Sequence, residues 1–108
     1  MNAQPTGGSD ATHEFDELVH QRTRLNILAF LSGAQRVEFT ALRDALLLTD
    51  GNLNRHLKAL LDGGLVVTKK QGPGRGRTFV SISASGRRAL DAQIAAMKRF
   101  VDDFQGQS

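Results

Sequence analysis

Two amides and a guanidinium fall within four residues of one another in "GNLNRHLKALL": Asn52, Asn54 and Arg55. Each is a planar side chain with paired hydrogen-bonding groups. A guanidinium matches the two acceptors on the edge of guanine, and an amide matches the acceptor and donor on adenine. Further along, "VVTKKQGPGRGRTFVSIS" places Lys69, Lys70, Arg75 and Arg77 within nine residues, with no acid among them. Such a concentration of cations suits a polyanion. The chemistry on offer is hydrogen bonding to base edges together with ion pairing to phosphate. Taken singly, each group has a plainer reading. An exposed Asn or Arg is commonly just solvated, and a charged hairpin discourages edge-to-edge pairing. The elements that carry them have to decide.

Other chemistries find little support. The chain has no cysteine, which excludes disulfides, thiol catalysis and cysteine zinc sites. His13, Glu17 and His20 could share a helical face as a metal trio, but they read better as solvated residues at a helix start. "GPGRGR" has the composition of a phosphate loop without the Walker spacing or a G-x-G-x-x-G between strand and helix. No Ser/His/Asp or paired-carboxylate arrangement stands out. We therefore expect no enzyme, no metal and no cofactor.

The totals agree with a single soluble domain. There are 108 residues, 40% hydrophobic and 23% charged, enough for one modest core. Six Phe without Trp or Tyr leave few stacking platforms for single-stranded nucleic acid. No apolar run reaches the ~20 residues that span a bilayer. The first residues lack the basic and apolar regions of a signal peptide, so a cytoplasmic location is expected. Net charge is +3, unevenly spread. Residues 49–88 hold eight basic residues against Asp50 and Asp62, whereas residues 1–20 hold four acids and no Lys or Arg.

Residues 1–12, polar and aperiodic, read as a disordered tail. "DELVHQRTRLNILAFLSG" then has helical spacing at Leu18, Leu25, Leu28 and Leu31, with a break conceivable at Gln21–Arg22 and Gly33 as its end. A short extended bridge precedes two helices in quick succession. Thr40 is a candidate N-cap for the first, with Leu42, Leu46 and Leu47 toward the core. Thr49 or Asp50 would cap the second, whose apolar set is Leu53, Leu57, Leu60 and Leu61. Gly63 and Gly64 would stop it in left-handed conformations. Two strands, 65–71 and 77–83, make a hairpin. A long last helix follows, capped by Ser83 or Ser85.

Two helices joined by a sharp turn, the second amphipathic and followed by a basic hairpin, describe a winged helix-turn-helix: mainly α with a β-hairpin wing. Wound at about 100° per residue, residues 51–62 gather the leucines on one side. Arg55 lies nearly opposite, among Gly51, Asn52, Lys58 and Ala59, with Asn54 and His56 on the flanks. The N-terminal residues of such a helix enter the major groove. Asn52, Asn54 and Arg55 are therefore the candidate base readers. Thr49, Lys58, Lys69, Lys70, Arg75 and Arg77 are the candidates for phosphate or the minor groove.

Leu90, Ile94, Met97, Val101 and Phe104 recur at alternating spacings of four and three along the last helix, an a/d seam. The seam could pack on the domain's own first helix. A helix of about 20 residues spans about 30 Å, however, and should overhang so small a body, which favours a seam between two copies.

The ordered set of Asn54–Arg55–His56–Leu57, "LLDGGLV", "GRGRT" and "S-x-S-G-R", with "HQRTRLNILAFL" near the start, resembles the small winged-helix transcriptional regulators related to the MarR and ArsR families. The resemblance implies a homodimer that binds operator DNA and usually represses transcription. The sequence departs from the metal-sensing branch in having no Cys and no His on its last helix. It also lacks the extra helices that form ligand pockets in larger MarR-type proteins, and any small-molecule effector is left open. The expectation is a winged helix DNA-binding domain over 13–105 with a C-terminal dimerisation helix, partnered by double-stranded DNA and by itself. A winged-helix protein-interaction module and an RNA-binding module are the alternatives.

Overall fold

The computed structural model describes residues 20–74 and 76–106. The proposed tail, His13, Glu17, Leu18 and Arg75 lie outside the described residues.

A helix, α1, covers residues 20–32 and runs through Gln21–Arg22 without a break. Gly33 and Ala34 close its end by bonding back to Phe30 and Leu31. The short strand β1 (Val37–Glu38) follows, then α2 (Phe39–Ala45) and α3 (Asp50–Asp62). The hairpin is β2 (Val66–Gln71) and β3 (Arg77–Ile82), and α4 (Ala84–Gly106) ends the described chain. The extended bridge is thus a third strand. It pairs antiparallel with β3, giving the sheet order β1-β3-β2. Val37 lies opposite Val80, and Val66 opposite Ile82.

One buried cluster joins these elements: Ile27, Leu28 and Leu31 from α1, Leu42 from α2, Leu53, Leu57 and Leu60 from α3, Val66 and Val80 from the sheet, and Leu90 from α4. Each buried Leu, Ile or Val contributes roughly 1.5–3 kcal/mol, so the leucine periodicity of α3 is what fixes its inner face. Leu61 is 40% exposed and belongs at the margin, because it lies too far round the helix from Leu53.

The corner between α2 and α3 departs from the expected details. Thr40 does not cap α2. Glu38 occupies that position without a side-chain bond, because strand pairing of Glu38 holds the chain extended until Phe39. Leu46 is half-buried, but Leu47 is 91% exposed with φ of 57°. Leu47 N–H bonds to Asp44 O at 3.2 Å and Leu48 N–H to Arg43 O at 2.9 Å. That is a Schellman closure with leucine in the place usually held by glycine. Thr49 caps α3, its Oγ1 accepting from Asn52 N–H at 3.1 Å.

α3 ends in a second Schellman closure, Leu65 N–H to Leu60 O and Gly64 N–H to Leu61 O, both 2.9 Å. Gly64 supplies the left-handed residue at φ of 72°, whereas Gly63 is right-handed at −83°. Ser83, not Ser85, caps α4. Its Oγ accepts from Gly86 N–H at 2.9 Å and donates to Gly64 O at 2.7 Å. The same serine's N–H bonds to Leu65 O at 3.0 Å, so the α3–β2 corner and the start of α4 are stitched together.

Of the 23 residues of α4, Gly86 and Leu90 are the buried ones. Leu90 therefore leaves the proposed seam between copies, because it is already spent in this chain's own core. Ile94, Met97, Val101 and Phe104 stay about half-exposed or more, and so does Phe100, which the a/d spacing alone does not select.

Candidate nucleic-acid interface

The exposed face of α3 carries a hydrogen-bonded pair. Arg55 Nη2 donates to Asn52 Oδ1 at 2.8 Å, one helical turn apart. Asn52 is half-buried and Arg55 exposed. Below them His56, expected on a flank, is turned inward and 4% exposed. Arg24 Nε–H reaches His56 Nδ1 at 3.4 Å, and the His20 ring meets the His56 ring edge-on at 5.5 Å between centroids. Burial, then the charges of Arg24, His20 and Arg55, push the His56 imidazole below its usual range. A neutral His56 whose Nδ1 accepts a bond anchors α3 to α1 behind the exposed face.

Asn54 lies on the other flank. With Lys58 it borders a groove between α3 and the sheet, whose far wall is Thr68, Lys70 and Thr78. Lys58 also stands 3.5 Å from Asp62, an exposed i,i+4 pair worth a few tenths of a kcal/mol. The three candidate readers are thus divided: Arg55 and Asn52 together, Asn54 toward the wing.

Strand register divides the wing cations in the same way. Lys70 pairs with Thr78 and shares the sheet face of buried Val66 and Val80, the face that looks at α3. Lys69 pairs with Phe79 and lies on the opposite, outer face, where Gln71 and Arg77 also point. Arg77 stands 3.9 Å from Glu38 of β1. Successive side chains alternate across a strand, so adjacent lysines cannot serve one surface.

The outer face holds a residue that the sequence reading missed. Arg36 lies 4.3 Å over the Phe79 ring and donates from Nη1 to Gln71 Oε1 at 2.8 Å. It clips β1, β3 and β2 together beside the tip of the wing. Phe79 and Gln71 are 43 and 35 positions from it in the chain, beyond any spacing rule. In the tip, Gly76 N–H bonds to Pro73 O at 3.0 Å, and Gly76 has φ of 67°. A Cβ at residue 76 would stand 2.9 Å from Gln71 O, so the turn admits glycine alone there.

Two acids near the N-terminus of α3 are compensated. Arg43 Nε meets Asp44 Oδ1 and Arg43 Nη1 meets Asp50 Oδ1, both at 2.8 Å. The bond from Arg43 holds the Asp44 carboxyl below its usual value, and the two carboxylates raise Arg43 in turn. One arginine thus offsets half of the negative charge at the end of α3 that a polyanion would meet. Thr49, a candidate phosphate contact, uses its Oγ1 as acceptor for Asn52 N–H and keeps its hydroxyl proton to donate.

Among the described residues no group of three or more His, Cys, Asp or Glu could hold a metal, and no helix is long and apolar enough to cross a membrane.

The architecture is matched elsewhere. The model of a winged helix DNA-binding domain family matches residues 23–101. An uncharacterised protein of Methanocaldococcus jannaschii is 48% identical over 72 residues, covering 66% of this chain and 78% of that protein. A solved transcriptional regulator homologue from Pyrococcus horikoshii superposes with a TM-score of 0.72 at 30% identity, covering 85% of this chain and 97% of that one. The MepR–DNA complex of S. aureus superposes with a TM-score of 0.66 at 16% identity, covering 92% and 88%. That last likeness is one of fold.

Proposed function

The chain belongs to the winged helix DNA-binding domain family, and from that premise we propose that it is a homodimeric, sequence-specific regulator of transcription that acts on double-stranded DNA as a repressor. One observation carries the reading. Arg55 stands on the exposed side of α3, and Asn54 and Lys58 of the same helix line a groove, with Asp50 and Asp62, into which Lys70 of β2 looks from the sheet. A helix in the major groove with a strand cation beside it would meet base edges and backbone at once.

The dimer is supported by the second half of α4. Ile94, Met97, Phe100, Val101 and Phe104 form an exposed apolar stretch on a helix about 35 Å long. A second copy seated there would carry a second α3, and two half-sites about one helical turn apart would be bound together. Occupancy of such a site excludes other proteins from the same DNA, which is the simplest form of repression. The P. horikoshii relative is a transcriptional regulator homologue by description, and MepR was captured on DNA.

The test is selection of bound sequences from a random duplex library, then fluorescence anisotropy on the selected and scrambled duplexes across a salt series. The selected duplex should bind at least about a thousandfold more tightly, and both affinities should fall steeply with salt. Double-stranded RNA of the same sequence should compete poorly, because its major groove is too narrow for a helix. Absence of duplex binding at low salt would overturn the reading in favour of a protein-interaction module.

A further inference from the structure

We infer that Asn52 and Arg55 act as a single array of hydrogen-bond donors whose target is a guanine, Asn52 being the residue that positions Arg55 and not an independent reader of adenine. The inference rests on the duplex-reading role proposed above and names the base that this face selects.

The geometry begins with the backbone. Thr49 Oγ1 takes the Asn52 N–H at 3.1 Å, which fixes Asn52 in the first turn of α3. Leu53 and His56, both buried, hold the helix rotation from behind. On that fixed turn the half-buried amide of Asn52 turns its oxygen to Arg55 Nη2 at 2.8 Å. An asparagine that reads adenine needs both ends of its amide, the oxygen for the N6 amino group and the nitrogen for N7. Here the oxygen is already engaged. The oxygen keeps a second lone pair, but an amino group brought to it would lie against the N–H groups of Arg55, donor facing donor.

What the pair still presents is one-sided. The guanidinium has five N–H groups, one of them engaged by Asn52, and no acceptor, and the Asn52 amide nitrogen adds two more donors. Guanine is the base whose major-groove edge shows two adjacent acceptors, O6 and N7. Adenine and cytosine each put an amino group on that edge, and thymine offers a single oxygen beside a methyl group. A preset guanidinium also loses less freedom on binding than a free one, so holding Arg55 in place raises discrimination without adding a contact.

The experiment uses the full-length protein on its selected operator and on duplexes with each base pair changed in turn. Asn52→Ala, Arg55→Ala and the double variant are compared by anisotropy. Arg55→Ala should relax one G·C position by on the order of ten- to hundredfold. Asn52→Ala should relax that same position, and the double variant should be no worse than Arg55→Ala. Replacing that guanine by 7-deazaguanine, which removes N7, should weaken the wild type and leave Arg55→Ala unchanged. Asn52→Asp keeps the acceptor for Arg55, so it should retain the guanine preference while overall affinity falls. This variant also shows that any loss in Asn52→Ala does not come from a frayed helix. If Asn52→Ala instead relaxes an A·T position of its own, or the two losses multiply independently, the inference is overturned and the regulator reading stands. If no duplex is bound at all, both fail together.

Discussion

Arg24 on α1 donates through Nε to Nδ1 of His56 on α3 at 3.4 Å, linking two residues 32 positions apart. The bond requires His56 to be unprotonated at Nδ1. Burial and the neighbouring Arg24, His20 and Arg55 favour the same state by pushing the imidazole below its usual value. The unfolded chain, with its imidazole near the ordinary ~6.5, binds a proton first as pH falls. This contribution to stability is therefore complete above about pH 6.5 and is lost as pH drops through the folded-state value. The melting temperature should be flat from about pH 7 to 8 and decline as pH falls below about 6.5. His56→Gln should remove that part of the decline, and identical pH slopes for the two proteins would count against a buried neutral His56.

Gly86 faces the backbone of Leu65. A Cβ at this position would overlap the Leu65 carbonyl oxygen and stand 2.7 Å from the Ile82 side chain. Backbone cannot swing aside, so Gly86→Ala should destabilise by the upper part of the roughly 1–3 kcal/mol seen for overpacking. Gly51→Ala, with nothing within 4 Å of its Cβ, is the control and should be neutral or slightly stabilising. Urea unfolding of both variants measures the contrast; equal midpoints would refute the close approach.

Leu47 is the one non-glycine residue with positive φ among the described residues. A left-handed leucine costs roughly 1–2 kcal/mol, and glycine recovers this less about 0.5–1 kcal/mol of its own unfolded-state entropy. Since Leu47 buries almost nothing, Leu47→Gly should stabilise the domain by about 0.5–1 kcal/mol in denaturant unfolding. A loss of stability would refute the left-handed strain at this position.

Ile94 is 48% exposed in the single chain. A charge there should therefore spare the fold and break the proposed dimer. Ile94→Asp should sediment as a monomer at concentrations where the wild type is dimeric, with its helical circular dichroism kept. A variant that remains dimeric would remove α4 from the interface.

Lys70 and Arg77 sit one register step apart on the hairpin ladder, on opposite faces of the sheet. Lys70→Ala should weaken operator and scrambled duplexes alike and lower the salt slope by about one. Arg77→Ala should do less, because Arg77 shares its charge with Glu38. The reverse order in anisotropy would mean that DNA meets the outer face of the wing.

Short-range physics was legible from the residues alone. Leucines every three or four positions can be buried together on one side of a helix, so the inner face of α3 follows from Leu53, Leu57 and Leu60 without a structure. A β-branched run, a Gly-Pro-Gly turn and a second such run form a hairpin by local preference, and β2 and β3 end within a residue of where the pattern puts them. Caps at Ser83 or Ser85 and at Thr49 or Asp50 were legible because such oxygens need reach only three residues ahead, and the structure selects Ser83 and Thr49. Choices between near-equal neighbours were another matter. Whether Glu38 or Thr40 began α2 depended on β1 pairing with β3, more than forty residues away, and Leu47, read as inward with Leu46, was turned out by the closure that ends α2. The inward turn of His56 needed Arg24 on a different helix, and the clip of Arg36 needed Phe79 and Gln71. Lys69 and Lys70 look alike in a list of cations; strand register and the packing of α3 against one side of the sheet sent them to opposite faces. Periodicity reports which side chains share an element's face. Which of two faces meets another element is settled by contacts between residues far apart in the chain, and those exist only once the tertiary structure has formed.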